Sequence, residues 1–144
     1  MKHVVLSGLA LLFAPLALSA CGEPSGGVEV SDAYIAAPLK GRDVTAGYFR
    51  LDNKGAAARL VGASSPVARR VEIHTHLHED GVMKMRKVDG VDLAPGQTVV
   101  FEPGGYHLMM FGVTLEADTT EAPVTLQYED GDEVSLVVPI RPRT

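Results

Sequence analysis

An alternation of apolar and polar residues with a period of two, interrupted by turn-forming residues, most constrains the fold of this chain. It is clearest in VTLQYEDGDEVSLVV, where Val124, Leu126 and Tyr128 precede an Asp-Gly turn and a second alternating run returns. Side chains two residues apart on a strand point to the same face. The segment therefore predicts a β-hairpin with one buried face.

Shorter runs of the same kind recur along the chain: GYFRL before DNKG, VEIH before HEDG, VMKMRKV before DG and TVVFE before PGG. No stretch shows a convincing apolar period of 3.6 residues, the helical spacing. With 144 residues, 46% of them hydrophobic, the chain has material for one compact domain. We therefore predict a single all-β domain of around eight strands, built as an antiparallel sandwich or barrel.

The N-terminal segment MKHVVLSGLALLFAPLALSAC joins a short basic start to an apolar run at residues 4–18 and to small residues before Cys21. The run is shorter than the roughly 20 residues that a transmembrane helix needs. It therefore predicts an export signal that is removed. The sequence LSAC at residues 18–21 resembles a bacterial lipobox, which implies cleavage before Cys21 and thioether lipidation of its sulfur. The alternative is an ordinary signal peptidase site beside an incidental cysteine.

Lipidation is favoured because Cys21 is the only cysteine in the chain, and a lone thiol in an exported protein needs an explanation. The following segment, GEPSGG, has the composition of a flexible tether. We predict a lipoprotein signal peptide over residues 1–20, a lipidated cysteine and tether over 21–27, and a folded domain over 28–144. The protein would then be anchored to a membrane outside the cytoplasm, in the periplasm.

Charge and motifs argue against two large classes of function. The formal net charge is −5 and the acidic residues are spread along the chain, so nucleic acid is not expected as a partner. The sequence contains no Gly-x-Ser-x-Gly nucleophile motif and no glycine-rich phosphate loop, and it offers no catalytic pair of cysteine and histidine. We therefore expect a protein that is not an enzyme.

Histidine and methionine are concentrated in two short segments beyond the signal peptide. Such clustering is unusual because methionine normally fills gaps throughout a core and histidine is scattered. The plain alternative is a set of core methionines near surface histidines. Imidazoles and thioethers together form a neutral, soft ligand set, which suits Cu(I) better than zinc, calcium or magnesium. The clustered residues are His74, His76, His78, Met83, Met85, His107, Met109 and Met110.

The period of two places several of these side chains on common strand faces. His107 shares a face with Met109 in the segment YHLMMFG, which follows the turn-like EPGG. Outside the cytoplasm a thioether can hold Cu(I) without being oxidised to a disulfide, as paired thiols would be. A blue-copper electron carrier would need a cysteine thiolate beside the metal, and Cys21 belongs to the tether.

The segment VEIHTHLHEDGVMKMRKV reads as a hairpin whose register depends on its turn. A two-residue turn at residues 79–80 would set His74 opposite Met85. A turn at residues 80–81 would instead set Met85 opposite His76 and diagonal to His74. Either register brings an imidazole and a thioether side by side.

At these residues the sequence resembles the PCu(A)C family of periplasmic copper chaperones, over residues 28–139. The family motif is a histidine, ten residues, a methionine, twenty-one residues, and then His-x-Met; His74, Met85, His107 and Met109 match it without a gap. The resemblance implies a cupredoxin-like β-domain in which these four residues bind Cu(I). It also implies delivery of copper to the dinuclear site of cytochrome c oxidase subunit II, alongside a thioredoxin-like copper chaperone.

The chain departs from the family in one respect, because many members carry a tail rich in histidine and methionine and this chain ends in PIRPRT. His76, His78 and Met83 remain as ligands for a weaker auxiliary site, which could take Cu(I) or Cu(II), or as ordinary solvated or packed side chains. Two other functions stay open. One is copper buffering or resistance without a dedicated acceptor, and the other is a structural or binding lipoprotein without metal.

Overall fold

The computed structural model describes residues 27–143, in which ten β-strands and no α-helix are present. No helix capable of crossing a bilayer is found among these residues. The all-β prediction is confirmed. The strands are β1 Val28–Ala36, β2 Val44–Asn53, β3 Ala58–Ser64, β4 Arg70–Glu79, β5 Val82–Lys87, β6 Val91–Leu93, β7 Thr98–Phe101, β8 His107–Phe111, β9 Glu121–Tyr128 and β10 Glu133–Arg141.

The strands form two layers that share one core. Their order is β5-β4-β8-β2-β1-β10-β9-β3-β6. The first half of β2 pairs with β8, and its second half pairs with β7. Strands β5, β4, β8, β7, β2 and β1 make the first layer, and β10, β9, β3 and β6 make the second. Inward side chains such as Phe49, Ile73 and Leu108 from the first layer pack with Leu60 and Leu126 from the second. The chain is therefore a sandwich, as the alternation predicts.

Two hairpins show how turn chemistry sets the register. Strands β9 and β10 pair so that Leu126 faces Val134, with Gly131 at a positive φ of 93° in the connection. In the β4–β5 hairpin the turn lies at Asp80 and Gly81, whose φ angles are 54° and 75°. Positive φ at both central residues is what a two-residue hairpin turn of this kind requires. The register with the turn at residues 79–80 is therefore wrong, and the alternative is confirmed.

Strands β1 and β3 are not predicted from the sequence, because their alternation of apolar and polar residues is interrupted. Strand β1 shifts register between Ser31 and Tyr34, where Asp32 has a φ of 53°. Strand β3 shifts between Leu60 and Gly62 in its pairing with β9. A bulge inserts a residue and so interrupts the period of two. Pairing also differs at one place: β1 and β10 are parallel, whereas the other strand pairs are antiparallel.

Candidate metal centre

Strand β8 divides its side chains between the core and the outer face of the first layer. Leu108 and Met110 are fully buried among the core residues. His107 and Met109 alternate with them and therefore point to the outer face. His107 is nonetheless only 3% exposed, because side chains from neighbouring strands cover it. The outer face thus holds an imidazole that is shielded from bulk water.

Strand β4 brings two further imidazoles to the same face. Its register with β8 sets His74 directly opposite His107. The two ring centroids are 5.9 Å apart. His76, two residues further along β4, shares the face of His74, and its ring centroid lies 5.3 Å from that of His107. Three imidazoles therefore converge at the point where β4 and β8 meet.

Strand β5 adds the thioether of Met85. Met85 pairs with His76 across the β4–β5 hairpin, whereas the residue paired with His74 is Lys87. Met85 is consequently a diagonal neighbour of His74 and a direct neighbour of His76. Cβ atoms of directly opposite residues are about 4.5–5.5 Å apart, so the His76–Met85 contact is the closer of the two.

A pocket of about 180 Å³ opens at this point on the outer face. Met85, His76, His107 and Met109 all contribute to its wall, and His74 lies beside it rather than in its lining. The other lining residues are Val44, Thr45, Ala46, Tyr48, Gly104 and Arg143. The lining contains no carboxylate, and its charged member is a guanidinium. Such a wall suits a soft cation of low charge better than a hard divalent one.

The hydrogen bond at His107 determines which of its nitrogens can bind a metal. Its Nδ1 donates to the carbonyl oxygen of Gly105 over 3.1 Å, so the lone pair of the neutral ring is on Nε2. Burial lowers the pKa of His107; the Gly105 carbonyl acts in the opposite direction, and His76 and His74 lower it further. The neutral, metal-binding form of this ring is therefore favoured.

A carboxylate orients His74 in the same way. The Nε2 of His74 donates to Oε2 of Glu72 over 2.8 Å. This hydrogen bond is the main reason that the pKa of Glu72 is lowered, and Arg70 and Lys87 lower it further. Because the carboxylate only accepts, the neutral His74 ring keeps its lone pair on Nδ1. Carboxylate–histidine pairs of this kind commonly support metal-binding imidazoles.

Two ring nitrogens at this site are buried without a partner. Within the described chain, Nδ1 of His74 and Nδ1 of His76 have no hydrogen-bond partner. Buried polar atoms are normally satisfied, so each orphaned nitrogen calls for an explanation, and metal ligation provides one. No group of three or more His, Cys, Asp or Glu side chains between residues 27 and 143 is arranged to hold a metal by itself.

The structure thus brings Met85, His107 and Met109 together, with His74 adjacent and His76 in the pocket wall. The remaining auxiliary residues, His78 and Met83, pair with each other nearer the tip of the hairpin. The predicted lipidation site lies outside the described residues, and the predicted domain boundaries stay predictions.

Sequence reasoning missed Glu72, the Gly105 carbonyl, Tyr48 and Arg143. Glu72 could have been found, since it lies two residues before His74 and so shares its strand face. The Gly105 carbonyl likewise lies two residues before His107. Tyr48 and Arg143 are far from the motif in sequence, and only the pairing of β2 with β8 and the course of the chain after β10 bring them to the pocket.

The fold and the site together define a class: a small cupredoxin-like β-domain that presents soft imidazole and thioether ligands on the outer face of one layer. A family model described as "Putative lipoprotein LpqE-like" matches residues 28–140. The chain therefore belongs to the LpqE-like family, and the resemblance to the PCu(A)C family is confirmed.

A curated relative and two solved structures are similar to this chain. "Putative lipoprotein Lxx21020" of Leifsonia xyli subsp. xyli (strain CTCB07) is 30% identical over 130 residues, covering 88% of this chain and 77% of that protein. The copper-bound PCuAC domain from PmoF2 superposes with a TM-score of 0.68 at 23% identity, covering 82% of this chain and 95% of that one. The Cu(I) form of DR1885 from Deinococcus radiodurans gives 0.62 at 25%, covering 87% and 85%.

Proposed function

We propose that this protein is a Cu(I)-binding chaperone, anchored to a membrane outside the cytoplasm, that hands its copper to an acceptor and catalyses no reaction. The observation that carries the proposal is the convergence of two thioethers and buried imidazoles with free lone pairs at one open pocket. The Cu(I) form of DR1885 and the copper-bound PmoF2 domain, which have the same fold, support copper as the metal.

The chemistry of the pocket favours Cu(I) in particular. Neutral nitrogen and thioether sulfur are soft ligands, and Cu(I) is the soft ion available among biological metals. Calcium and magnesium require oxygen ligands, which the pocket wall does not provide as carboxylates. Zinc sites are commonly built from thiolates, imidazoles and carboxylates, and no thiolate lies between residues 27 and 143.

We assign Met85, His107, Met109 and His74 as the Cu(I) ligands. The motif spacing supports His74, and so do its carboxylate partner and its unpartnered Nδ1. His76 is the competing fourth ligand because it lines the pocket and faces Met85. His74→Gln and His76→Gln variants, compared in one titration, decide between them, since the true ligand gives the larger loss of affinity.

The experiment that tests the site is a Cu(I) competition titration of the purified domain against a chromophoric chelator. Met109→Leu keeps the apolar bulk and removes the sulfur, so the affinity should fall by more than about 100-fold, because loss of even an outer-shell partner costs about 10- to 100-fold. Met110→Leu is the matched control, since Met110 is the next residue but is buried in the core. Equal affinities for the two variants would rule out the proposed site.

Delivery follows from the strength of the ligands. Thioethers carry no net charge and bind Cu(I) less tightly than thiolates do. Transfer of the ion to an acceptor with cysteine ligands is therefore thermodynamically favourable. We propose that the acceptor is the dinuclear copper site of cytochrome c oxidase subunit II, with a thioredoxin-like copper chaperone as a further partner. Mixing the Cu(I)-loaded protein with the reduced apo-domain of that subunit should transfer copper with little return.

Copper buffering is the second candidate, because it also needs an accessible, exchangeable site. A deletion strain grown at limiting copper separates the two functions. Lost oxidase activity that added copper restores supports delivery. Normal oxidase activity together with sensitivity to excess copper would favour buffering and contradict delivery.

Membrane anchoring rests on Cys21, and the lipoprotein names of the family and of the Leifsonia relative support it. Replacing Cys21 with Ser should prevent lipid attachment and move the protein out of the membrane fraction. Copper binding by the domain should stay unchanged. An unlipidated N-terminus in the mass spectrum of the mature wild-type protein would refute the anchor.

A further inference from the structure

The β4–β5 hairpin carries two cross-strand pairs of a histidine and a methionine, one after the other along its length. His76 pairs with Met85, and His78 pairs with Met83 one step closer to the tip. Because residues two apart share a strand face, both pairs lie on the outer face that carries the pocket. Met85 is already one of the four motif residues. His78 and Met83 do not belong to the site that those residues form.

Each pair has the dimensions of a small Cu(I) site. Directly opposite residues have Cβ atoms about 4.5–5.5 Å apart, so an imidazole nitrogen and a thioether sulfur can reach one ion between them. Successive pairs along the hairpin are about 6.5 Å apart, twice the rise per strand residue. An ion can therefore leave one pair as the next pair engages it, by exchange of one ligand at a time and without change of oxidation state.

Exposure decreases from the tip of the hairpin toward the pocket. His78 is exposed, and Met83 is 47% exposed. Met85 is 43% exposed, whereas His76 is half-buried and its Nδ1 is inaccessible and unpartnered in the described chain. His107 is then almost fully buried. The exposure of the histidines therefore falls from His78 through His76 to His107, from solvent toward the site.

The carboxylate that follows His78 in the sequence points away from the two pairs. Glu79 alternates with His78 and so points to the opposite face, where its Oε2 is held at 3.0 Å by both Lys84 and Arg86. The outer face of the hairpin tip therefore offers soft, neutral ligands.

We propose that His78 and Met83 form a second, weaker Cu(I) site that captures the ion and passes it through His76 and Met85 to His107. This entry route rests on the proposed function, since it leads to the site assigned there. It predicts that the second equivalent of Cu(I) binds at the hairpin tip. It also predicts that the tip governs the rate at which the main site fills, but not the affinity of that site.

The test uses the folded protein, anaerobic Cu(I) and two measurements. In a methyl NMR titration, the first equivalent should shift the resonances of Met85 and Met109, and the second should shift that of Met83. In stopped-flow loading, the double variant with His78→Gln and Met83→Leu should fill its main site about tenfold more slowly, within the range by which interface changes alter association rates. The main-site affinity should stay the same.

Leu77→Ala is the control, because Leu77 is exposed on the opposite face of the same hairpin. Its loading rate should equal that of the wild type. Unchanged loading in the double variant, or a loss of main-site affinity, would overturn the entry route. Binding of Cu(II) but not Cu(I) beside His78, seen as paramagnetic broadening, would overturn the assigned oxidation state. Failure of the first equivalent to bind the wild type would instead refute the proposed function.

Discussion

Single hydrogen bonds decide what the histidines of this site can do. The Gly105 carbonyl occupies Nδ1 of His107, and the carboxylate of Glu72 occupies Nε2 of His74. The two rings therefore present different nitrogens, Nε2 from one strand and Nδ1 from the other. Because both partners lie two residues before the histidine that they orient, each strand supplies a ligand together with its support. These hydrogen bonds orient the two rings before any metal arrives, which reduces the cost of ordering the site.

Removal of the carboxylate should weaken the site without unfolding the domain. For Glu72→Ala we expect the Cu(I) affinity to fall about 10- to 100-fold, because the His74 ring loses the group that fixes its tautomer. Glu79→Ala is the matched control, since Glu79 lies on the same strand but contacts Lys84 and Arg86 on the opposite face. A competition titration measures both variants. Equal affinities for Glu72→Ala and the wild type would indicate that His74 is not a ligand.

Acidification should release copper, starting below about pH 6.5, the ordinary pKa of histidine. Burial lowers the pKa of His107 in the apoprotein, so its ring stays neutral to a lower pH than in the unfolded chain. The unfolded chain then takes up the proton first. The contribution of neutral His107 to stability is therefore present above the unfolded pKa and is lost as the pH falls through the folded value. An NMR titration of the apoprotein measures this pKa, and a value above 6.5 would contradict the prediction.

Among the elements, the β4–β5 hairpin has the largest influence on the site. Its turn at Asp80 and Gly81 fixes which histidine faces which methionine, because the register of a hairpin follows from its turn. A shift of the turn by one residue would move Met85 from His76 to His74. The central strand β8 is constrained differently, since its inward Leu108 and Met110 hold His107 and Met109 on the outer face.

Gly81→Ala tests the role of the turn. An L-residue at its φ of 75° costs about 1 kcal/mol, and no atom lies within 4 Å of the added Cβ, so the backbone conformation alone causes the loss. Gly105→Ala is the control, because its Cβ would meet ordinary contacts at 3.6 Å and its φ is not positive. Chemical denaturation of the apoprotein measures both. A loss of the same size in the control would show that the turn geometry is not responsible.

In the whole molecule, the metal site and the core lie on opposite faces of the first layer. The second layer contributes fully buried side chains such as Leu60 and Leu126 to the interior, and none of its strands contributes a ligand to the proposed site. The sandwich therefore provides stability on one side of strands β4 and β8 and copper chemistry on the other. We therefore expect that substitutions in the second layer change stability without changing metal affinity.

Leu126→Ala tests that separation. The cavity that it leaves should lower the free energy of unfolding by about 2–5 kcal/mol, the usual cost of removing a large core side chain. The Cu(I) affinity of the protein that remains folded should not change. Val137→Ala, at an exposed position on the next strand, should alter stability by no more than about 0.5 kcal/mol. A loss of affinity in Leu126→Ala under native conditions would show that the core and the site are coupled.

Sequence patterns predict the all-β class, which the structure confirms, and a set of candidate ligands, several of which the structure brings to one pocket. Both depend on local rules, namely the period of two, the chemistry of the Asp-Gly turn and the clustering of soft ligands. The period of two left the hairpin register with two solutions, because it fits a turn at residues 79–80 as well as one at residues 80–81. The positive φ angles of Asp80 and Gly81 select the second.

Other features depend on tertiary contacts that no local pattern predicts. The parallel pairing of β1 with β10, the bulges in β1 and β3, and the approach of Tyr48 and Arg143 to the pocket join parts of the chain that are distant in sequence. The position of His76 in the pocket wall, with His74 beside it, likewise depends on how β4, β5 and β8 lie side by side. Such contacts are decided by the packing of whole layers around one core, and no local pattern encodes that packing.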